Sequence, residues 1–324
     1  GVFAPTLEGP TLVPLVISDG QVVSSRQAAQ IEHRLGGDGA PMPEMAWTMP
    51  SGLSLRMRAL VRPGALSPMT WIQYELANDS LMVQTGRLCW VARPVRLPPP
   101  WAGGGLAPIY KIRRVETVSG WQELWANEEP LFAISGSNIS FGATAFRAGD
   151  VAEYFLNGEV PPNRSANDAD GLASAAWWAD FSLNPGERVR HVVAAPEGRK
   201  GVWPAANGEA GAEKIADGFD REWVESEWIW RAEAGHYAPK IDRPDAVDCL
   251  HSQMGWLLGV KEMGASAQGE GVDSIQARVA ALLRAGQSGP AKRWVEQVAA
   301  GVDADGWVPS VFREDGQPAS RLGQ

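Results

Sequence analysis

This chain of 324 residues has little positive charge, few cysteines and no long apolar run. Lys and Arg number 29 against 38 Asp and Glu, for a net charge of −9. Affinity for nucleic acid comes mostly from Lys and Arg on phosphates, so no nucleic-acid partner is expected. No run of about 18 apolar residues occurs, so no transmembrane helix or membrane insertion is predicted. Residues 1–5, Gly-Val-Phe-Ala-Pro, lack the basic region and apolar core of a signal peptide. They also lack an initiating Met, which leaves the compartment open. There are two cysteines. Cys89, in a strand-like run, and Cys249, in a helix-like run, read as buried free thiols. His33, His191, His236 and His251 have no metal-ligand spacing, and two distant cysteines add no zinc motif. Gly-x-Gly-x-x-Gly, Walker and Gly-x-Ser-x-Gly motifs are missing, so neither a nucleotide cofactor nor that type of serine hydrolase is expected. No cofactor and no metal are expected.

The chain is 44% hydrophobic and 21% charged, the balance of a folded protein, and long enough for two domains. Its 15 Trp stand against 4 Tyr and 8 Phe. Tryptophan fills the core of a large β-sandwich, and it also offers flat faces on which sugar rings stack. For any single Trp the core reading comes first. Trp101, in a Pro/Gly loop, is the better stacking candidate, because loops carry binding. Trp177 and Trp178 are adjacent in a strand and point to opposite faces, one into the core and the other available as a platform.

The first two-thirds of the chain reads as β. Residues 53–60 alternate with period two. Residues 71–76 place Trp71, Gln73 and Glu75 on one face and Ile72, Tyr74 and Leu76 on the other. Asn-Asp-Ser at 78–80 supplies turn chemistry. Residues 88–95 form another strand whose Pro94 belongs at an end or edge. Further strands are expected at 131–134, 139–141, 175–183 and 189–194, with a tight turn at 184–187. Strands separated by turns in one long run imply a sandwich rather than βαβ units.

Helical character begins near Ala212. Residues 219–230 read as a helix or a linker. Asp242, followed by Pro244, signals a helix that ends near Gly264. A second helix runs from about Ser274 to Ala285, with Ile275, Val279, Leu282 and Leu283 on its apolar face. A third runs from about Pro290 to Ala300. Asp273 and Gln276 are spaced as a capping box, so Asp273 has a purely structural reading as a cap. Glu270 is a second carboxylate, in a loop between glycines.

Several segments resemble, in order, the N-terminal β-supersandwich and the start of the (α/α)6 toroid of bacterial glycoside hydrolase-like proteins, a group often labelled coagulation factor 5/8 type domain proteins. These are residues 71–78 (Trp-Ile-Gln-Tyr-Glu-Leu-Ala-Asn), 93–100, 103–109, 180–187, 251–258, 273–274, 305–309 (Asp-Gly-Trp-Val-Pro) and 323–324. The similarity covers most of residues 50–324. Where the family has Trp and Arg before its sugar-holding aspartate, this chain has Glu270 and Val272. The loop at 317–322 carries no carboxylate where the family's is acidic.

The resemblance implies a mainly β protein with a C-terminal α part. A large antiparallel β-supersandwich of galactose-mutarotase-like fold would span 1–211, a linker 212–241, and the opening helices of an incomplete α/α toroid 242–324. It implies a saccharide ligand, with Asp273 and Ser274 at the sugar, Glu270 beside them, and Trp307 at the toroid mouth. A glycosidase uses two carboxyl groups flanking the bond, and the family places that pair mostly beyond residue 324. The chain then reads as the N-terminal part of a longer hydrolase. The alternative is a non-catalytic carbohydrate-binding or scaffold protein. Its exposed helical face would be covered by a protein partner or by the missing C-terminal segment.

Overall fold

A computed structural model describes residues 2–4, 9–36, 40–61, 69–97, 104–116, 121–136, 138–196, 212–235, 270–284, 287–300 and 311–312. It divides the chain into two compact units, Gly1–Arg34 with Pro43–Val224, and Leu35–Met42 with Glu225–Gln324.

The first unit is built from strands β1 (Thr11–Ser18), β2 (Gln21–Val23), β3 (Gln30–Leu35), β4 (Pro43–Thr48), β5 (Leu53–Val61), β6 (Met69–Asn78) and β7 (Gln84–Arg93). They are followed by β8 (Lys111–Glu116), β9 (Trp121–Ala126), β10 (Glu129–Ser135), β11 (Ser140–Thr144), β12 (Ser165–Asn167), β13 (Ser174–Leu183) and β14 (Arg188–Pro196). A five-stranded sheet has the order β11-β13-β7-β1-β2, and a nine-stranded sheet the order β12-β8-β9-β10-β14-β6-β5-β4-β3. The ladders are antiparallel, so each strand can bury one face. Leu12, Val16, Trp90 and Trp177 from the smaller sheet meet Leu53, Leu55, Tyr74, Leu76, Phe132 and Val193 from the larger in one core. Trp47, Trp90 and Trp177 are fully buried. Full burial of one large apolar side chain stabilises the fold by roughly 1.5–3 kcal/mol.

Pro14 lies inside β1, opposite Trp90. Leu12, two residues earlier, exchanges both backbone hydrogen bonds with Phe3. With a period of two, Pro14 therefore turns its missing N–H to that same outer side, which β2 reaches only from Val16 onward. The turn Asn184–Glu187 carries the chain from β13 in the smaller sheet to β14 in the larger, with Gly186 at φ 79 and a 3.0 Å bond from Glu187 N–H to Asn184 O.

The outer face of the smaller sheet is covered by helix α1 (Val151–Leu156). Its Val151, Ala152 and Phe155 pack with Leu15, Cys89, Val91, Ala176 and Trp178. Asp150 caps it, accepting Ala152 N–H at 2.7 Å and Arg93 Nη2 at 2.8 Å. This corrects the platform reading of the Trp pair: Trp177 is in the core, and Trp178, 7% exposed, lies edge-on to Phe155 at 5.6 Å. Cys89 is buried and free, and burial pushes its thiol pKa up; Cys249 lies outside the described residues.

Helix α2 spans Ala212–Gly235. Its first half packs on the outer face of the nine-stranded sheet. Gln73 Nε2 donates to Ala216 O (3.2 Å), and Arg58 lies over the rings of Phe219 and Trp223 at 5.5 and 5.2 Å.

In the second unit, α3 (Val272–Arg284) and α4 (Ser288–Ala300) form a hairpin, and β15 (Glu270–Gly271) pairs with β16 (Val311–Phe312). Ile275, Leu282, Ala291 and Trp294 are buried, and Arg278 lies over the Trp294 ring at 4.6 Å. Leu283 is 56% exposed, off the apolar face expected of it. Adjacent helical residues lie about 100° apart, so burial of Leu282 turns Leu283 outward. A closed toroid is not among the described residues, and the helix expected at 242–264 lies outside them.

Candidate functional site

Three of the sequence candidates, Glu270, Asp273 and Ser274, lie close together in the second unit. Glu270 lies opposite Phe312, and Gly271 opposite Val311, in antiparallel register. The chain enters α3 directly from this short ladder. The helix begins at Val272, two residues before the start read from the sequence, so Asp273 and Ser274 are its second and third residues rather than lying at its threshold. Asp273 and Ser274 thus belong to the first turn of the helix. The same first turn has backbone N–H groups without helical partners, which suit an oxygen-rich ligand. The structure describes these three candidates by their backbone.

The β15–β16 pairing joins two segments distant in sequence: the one that leads into Asp273, and the one just after the Asp-Gly-Trp-Val-Pro run. Trp307 itself lies outside the described residues, four positions before Val311. Trp101 also lies outside them. Sequence reading missed this pairing, since two-residue strands carry no periodicity.

The sandwich holds a further concentration of aromatic and ionic groups, on the outer face of its nine-stranded sheet. Trp71 and Trp121 meet edge-on at 5.7 Å. Glu123, 5% exposed, accepts the Trp125 indole N–H at 2.6 Å, and Arg113 lies 4.9 Å over the Trp125 ring. Strand alternation could have placed Trp121, Glu123 and Trp125 on one face. Among the described residues no group of three or more His, Cys, Asp or Glu is arranged to hold a metal ion. No helix of the described residues is long and apolar enough to cross a membrane.

No protein-family profile and no curated protein matches this sequence. Solved structures do match. The fold is that of about half of a bacterial glucoamylase. That structure, a complex with acarbose, superposes with a TM-score of 0.63 at 10% identity, covering 98% of this chain and 48% of the glucoamylase. At that identity the likeness is one of fold, and the chain spans about half of the glucoamylase's length. Weaker matches are a protein described as a kojibiose phosphorylase from human microbiome (TM-score 0.29, 8% identity, covering 83% of this chain and 30% of that one) and a family 92 glycosyl hydrolase (0.30, 9%, 77% and 32%). At those scores neither bears on the argument. The two-sheet antiparallel fold with C-terminal helices therefore agrees with the architecture implied by the family resemblance.

Proposed function

We propose that this chain is a carbohydrate-active, glycoside hydrolase-like protein, the N-terminal part of a longer one, and that it holds a saccharide at the segment around Asp273. A β-supersandwich at 1–211 and a linker at 212–241 lead into a toroid-type domain from 242. The observation that carries the reading is the register of Glu270 with Phe312. It sets the short strand before Asp273 beside the segment that follows Trp307. The fold likeness to a glucoamylase over 98% of the chain supports it.

In this reading Asp273 accepts a pair of sugar hydroxyls, Ser274 adds a donor, Glu270 lies at the rim and Trp307 supplies a stacking face. None of them moves the reacting proton. The acid and its partner carboxylate belong further along the toroid, and their separation would set the outcome: about 5–5.5 Å for retention, roughly 6.5–9.5 Å for inversion.

A second reading has its own support. Val272 and Glu270 stand where the family has Arg and Trp, which removes two sugar contacts. Leu283 and Val295, on the helical hairpin, are 56% and 52% exposed. Both fit a non-catalytic binder or scaffold whose helices meet a partner. Kinetics on the natural full-length polypeptide test the choice. The hydrolase reading expects glycoside turnover that Asp273→Asn reduces by about 100-fold in kcat/KM, since a charge-assisted hydroxyl contact is worth a few kcal/mol. Saturable saccharide binding without turnover would favour the binder, and neither would favour the scaffold.

A further inference from the structure

Tyr110 is an exposed aromatic held on an unusually well-fixed backbone. Residues 106–110 run with alternating burial: Ala107 and Ile109 point in, while Leu106, Pro108 and Tyr110 are exposed. The Tyr110 ring lies against Gly171, where an added Cβ would come within 3.2 Å of Tyr110 Cε1 and 2.7 Å of Pro108 Cβ. Gly171 also has φ +74, so glycine is required there on two counts. Tyr110 nevertheless stays 54% exposed.

Both edges of this segment are tied down. On one side Ile109 N–H donates to Gly171 O (2.8 Å), Ala173 N–H to Ile109 O (3.1 Å) and Asp168 N–H to Tyr110 O (2.8 Å). On the other, Asn127 Oδ1 accepts Tyr110 N–H (2.8 Å) and Lys111 N–H (3.3 Å), while its Nδ2 donates to Pro108 O (2.8 Å). Asn127 and Glu128, at φ 52 and 66, are the two-residue turn between β9 and β10.

Asp168 also ties a second exposed aromatic residue, through its backbone, to this segment. Its Oδ2 accepts Phe146 N–H at 2.8 Å, at the start of a 3-10 turn, Phe146–Ala148, none of whose residues is buried. Phe146 is 57% exposed. Beside it, Arg147 and Asp170 form an ion pair at 3.9 Å, with side chains 88% and 65% exposed.

Size and chemistry together indicate the occupant. Leu106, Pro108, Tyr110 and Phe146 are each exposed, and four such side chains add up to roughly a few hundred Å², well short of the roughly 800 Å² per partner of a stable protein interface. Exposed aromatic faces of this size stack on the C–H faces of pyranose rings. The Arg147 guanidinium and the Asp170 carboxylate, adjacent in sequence to Phe146 and Gly171, suit the hydroxyls at a sugar ring's edge.

We propose that Tyr110 and Phe146, flanked by Arg147 and Asp170, form a saccharide-binding subsite on the sandwich that holds a pyranose segment of a polysaccharide. It rests on the saccharide reading above, and it lies in the unit that does not carry Asp273. The subsite anchors a chain by stacking and takes no part in bond cleavage.

Native affinity electrophoresis of the full chain, in gels containing soluble starch, xylan or hydroxyethyl cellulose, tests this. At least one polysaccharide should retard the wild type. Tyr110→Ala and Phe146→Ala should each weaken that binding about tenfold, the scale of losing a well-packed aromatic contact. Tyr110→Phe keeps the ring and should bind like wild type, and all three variants should melt as wild type does. Retardation that neither alanine variant changes would overturn the subsite while leaving the saccharide reading intact. A wild type that no gel retards would overturn the subsite and count against that reading too. If Tyr110→Ala instead altered sedimentation of the protein without altering retardation, the patch would be a protein contact and the proposal wrong.

Discussion

His191 lies edge-on to Trp90 inside the sandwich, ring centroids 5.0 Å apart and planes at 73°. It comes from β14, opposite Tyr74 on β6, and is 7% exposed. Trp90 in turn meets Tyr74 edge-on at 5.8 Å. Burial lowers the His191 pKa to about 4, with a hydrogen bond to the Ser135 backbone opposing part of that shift. The imidazole is therefore neutral in the folded protein.

A pH dependence of stability follows. The unfolded chain binds a proton at His191 near pH 6.5 and the folded chain only near 4. Stability is then fully present above about pH 6.5 and is lost as pH falls from 6.5 toward 4, by about 3 kcal/mol in all. Urea midpoints measured between pH 4 and 7.5 should show this slope, and His191→Phe should flatten it. The replacement removes the buried Nδ1, which has no hydrogen-bond partner, at the expense of the bond to the Ser135 backbone.

Asp220 is the centre of the contact between α2 and the sheet. It accepts from Arg58, from Gln73 Nε2 at 3.3 Å and from Arg190 Nη1 at 2.8 Å, while Arg190 Nη2 reaches Asp217 at 2.8 Å. The Arg58 and Arg190 side chains are only 13% and 20% exposed. Asp220→Ala leaves both guanidinium groups short of a partner, at a cost of about 2 kcal/mol after allowing for the half-open carboxylate. Amide exchange in residues 212–224 should accelerate more than exchange in β6. Equal acceleration in both would mean that the ion pairs do not hold the helix selectively.

Gly86 lies where β7 runs between β1 and β13, opposite Ser18 and Phe181. A Cβ there would come 1.9 Å from Ile17 O and 2.9 Å from Phe181 Cζ. The first contact is with backbone, so β1 must move. Gly86→Ala should destabilise by about 3 kcal/mol, read as a lowered denaturant midpoint with an unchanged slope. A variant as stable as wild type would show that the β1–β7 pairing is looser than its register implies.

Much of the sandwich could be read from alternation. Ile72, Tyr74 and Leu76 face the core as the period of two demands, and Pro94 directly follows β7. Gln73 shows where alternation stops being informative: it is 1% exposed because α2 packs over the outer face, a long-range event. The opening strands escaped notice for local reasons. β1 is buried almost throughout and contains Pro14, while β3 is almost wholly exposed, so neither alternates cleanly. Helix α1 has six residues, too few for a 3.6 period, and without it the burial of Trp178 could not be foreseen. For the candidate site, the sequence placed Asp273 near a helix start. It could not supply the partner of Glu270, because pairing across some 40 residues leaves no local pattern.

The central claim is that the joined segments around Glu270 and Phe312 hold a saccharide. Hydrogen–deuterium exchange on the natural full-length protein, with and without a saturating mixture of malto- and cello-oligosaccharides, tests it most directly. The account predicts slowed exchange in peptides covering 270–276 and 305–312, abolished by Asp273→Asn. Binding that protects other peptides and leaves these two unchanged would contradict it.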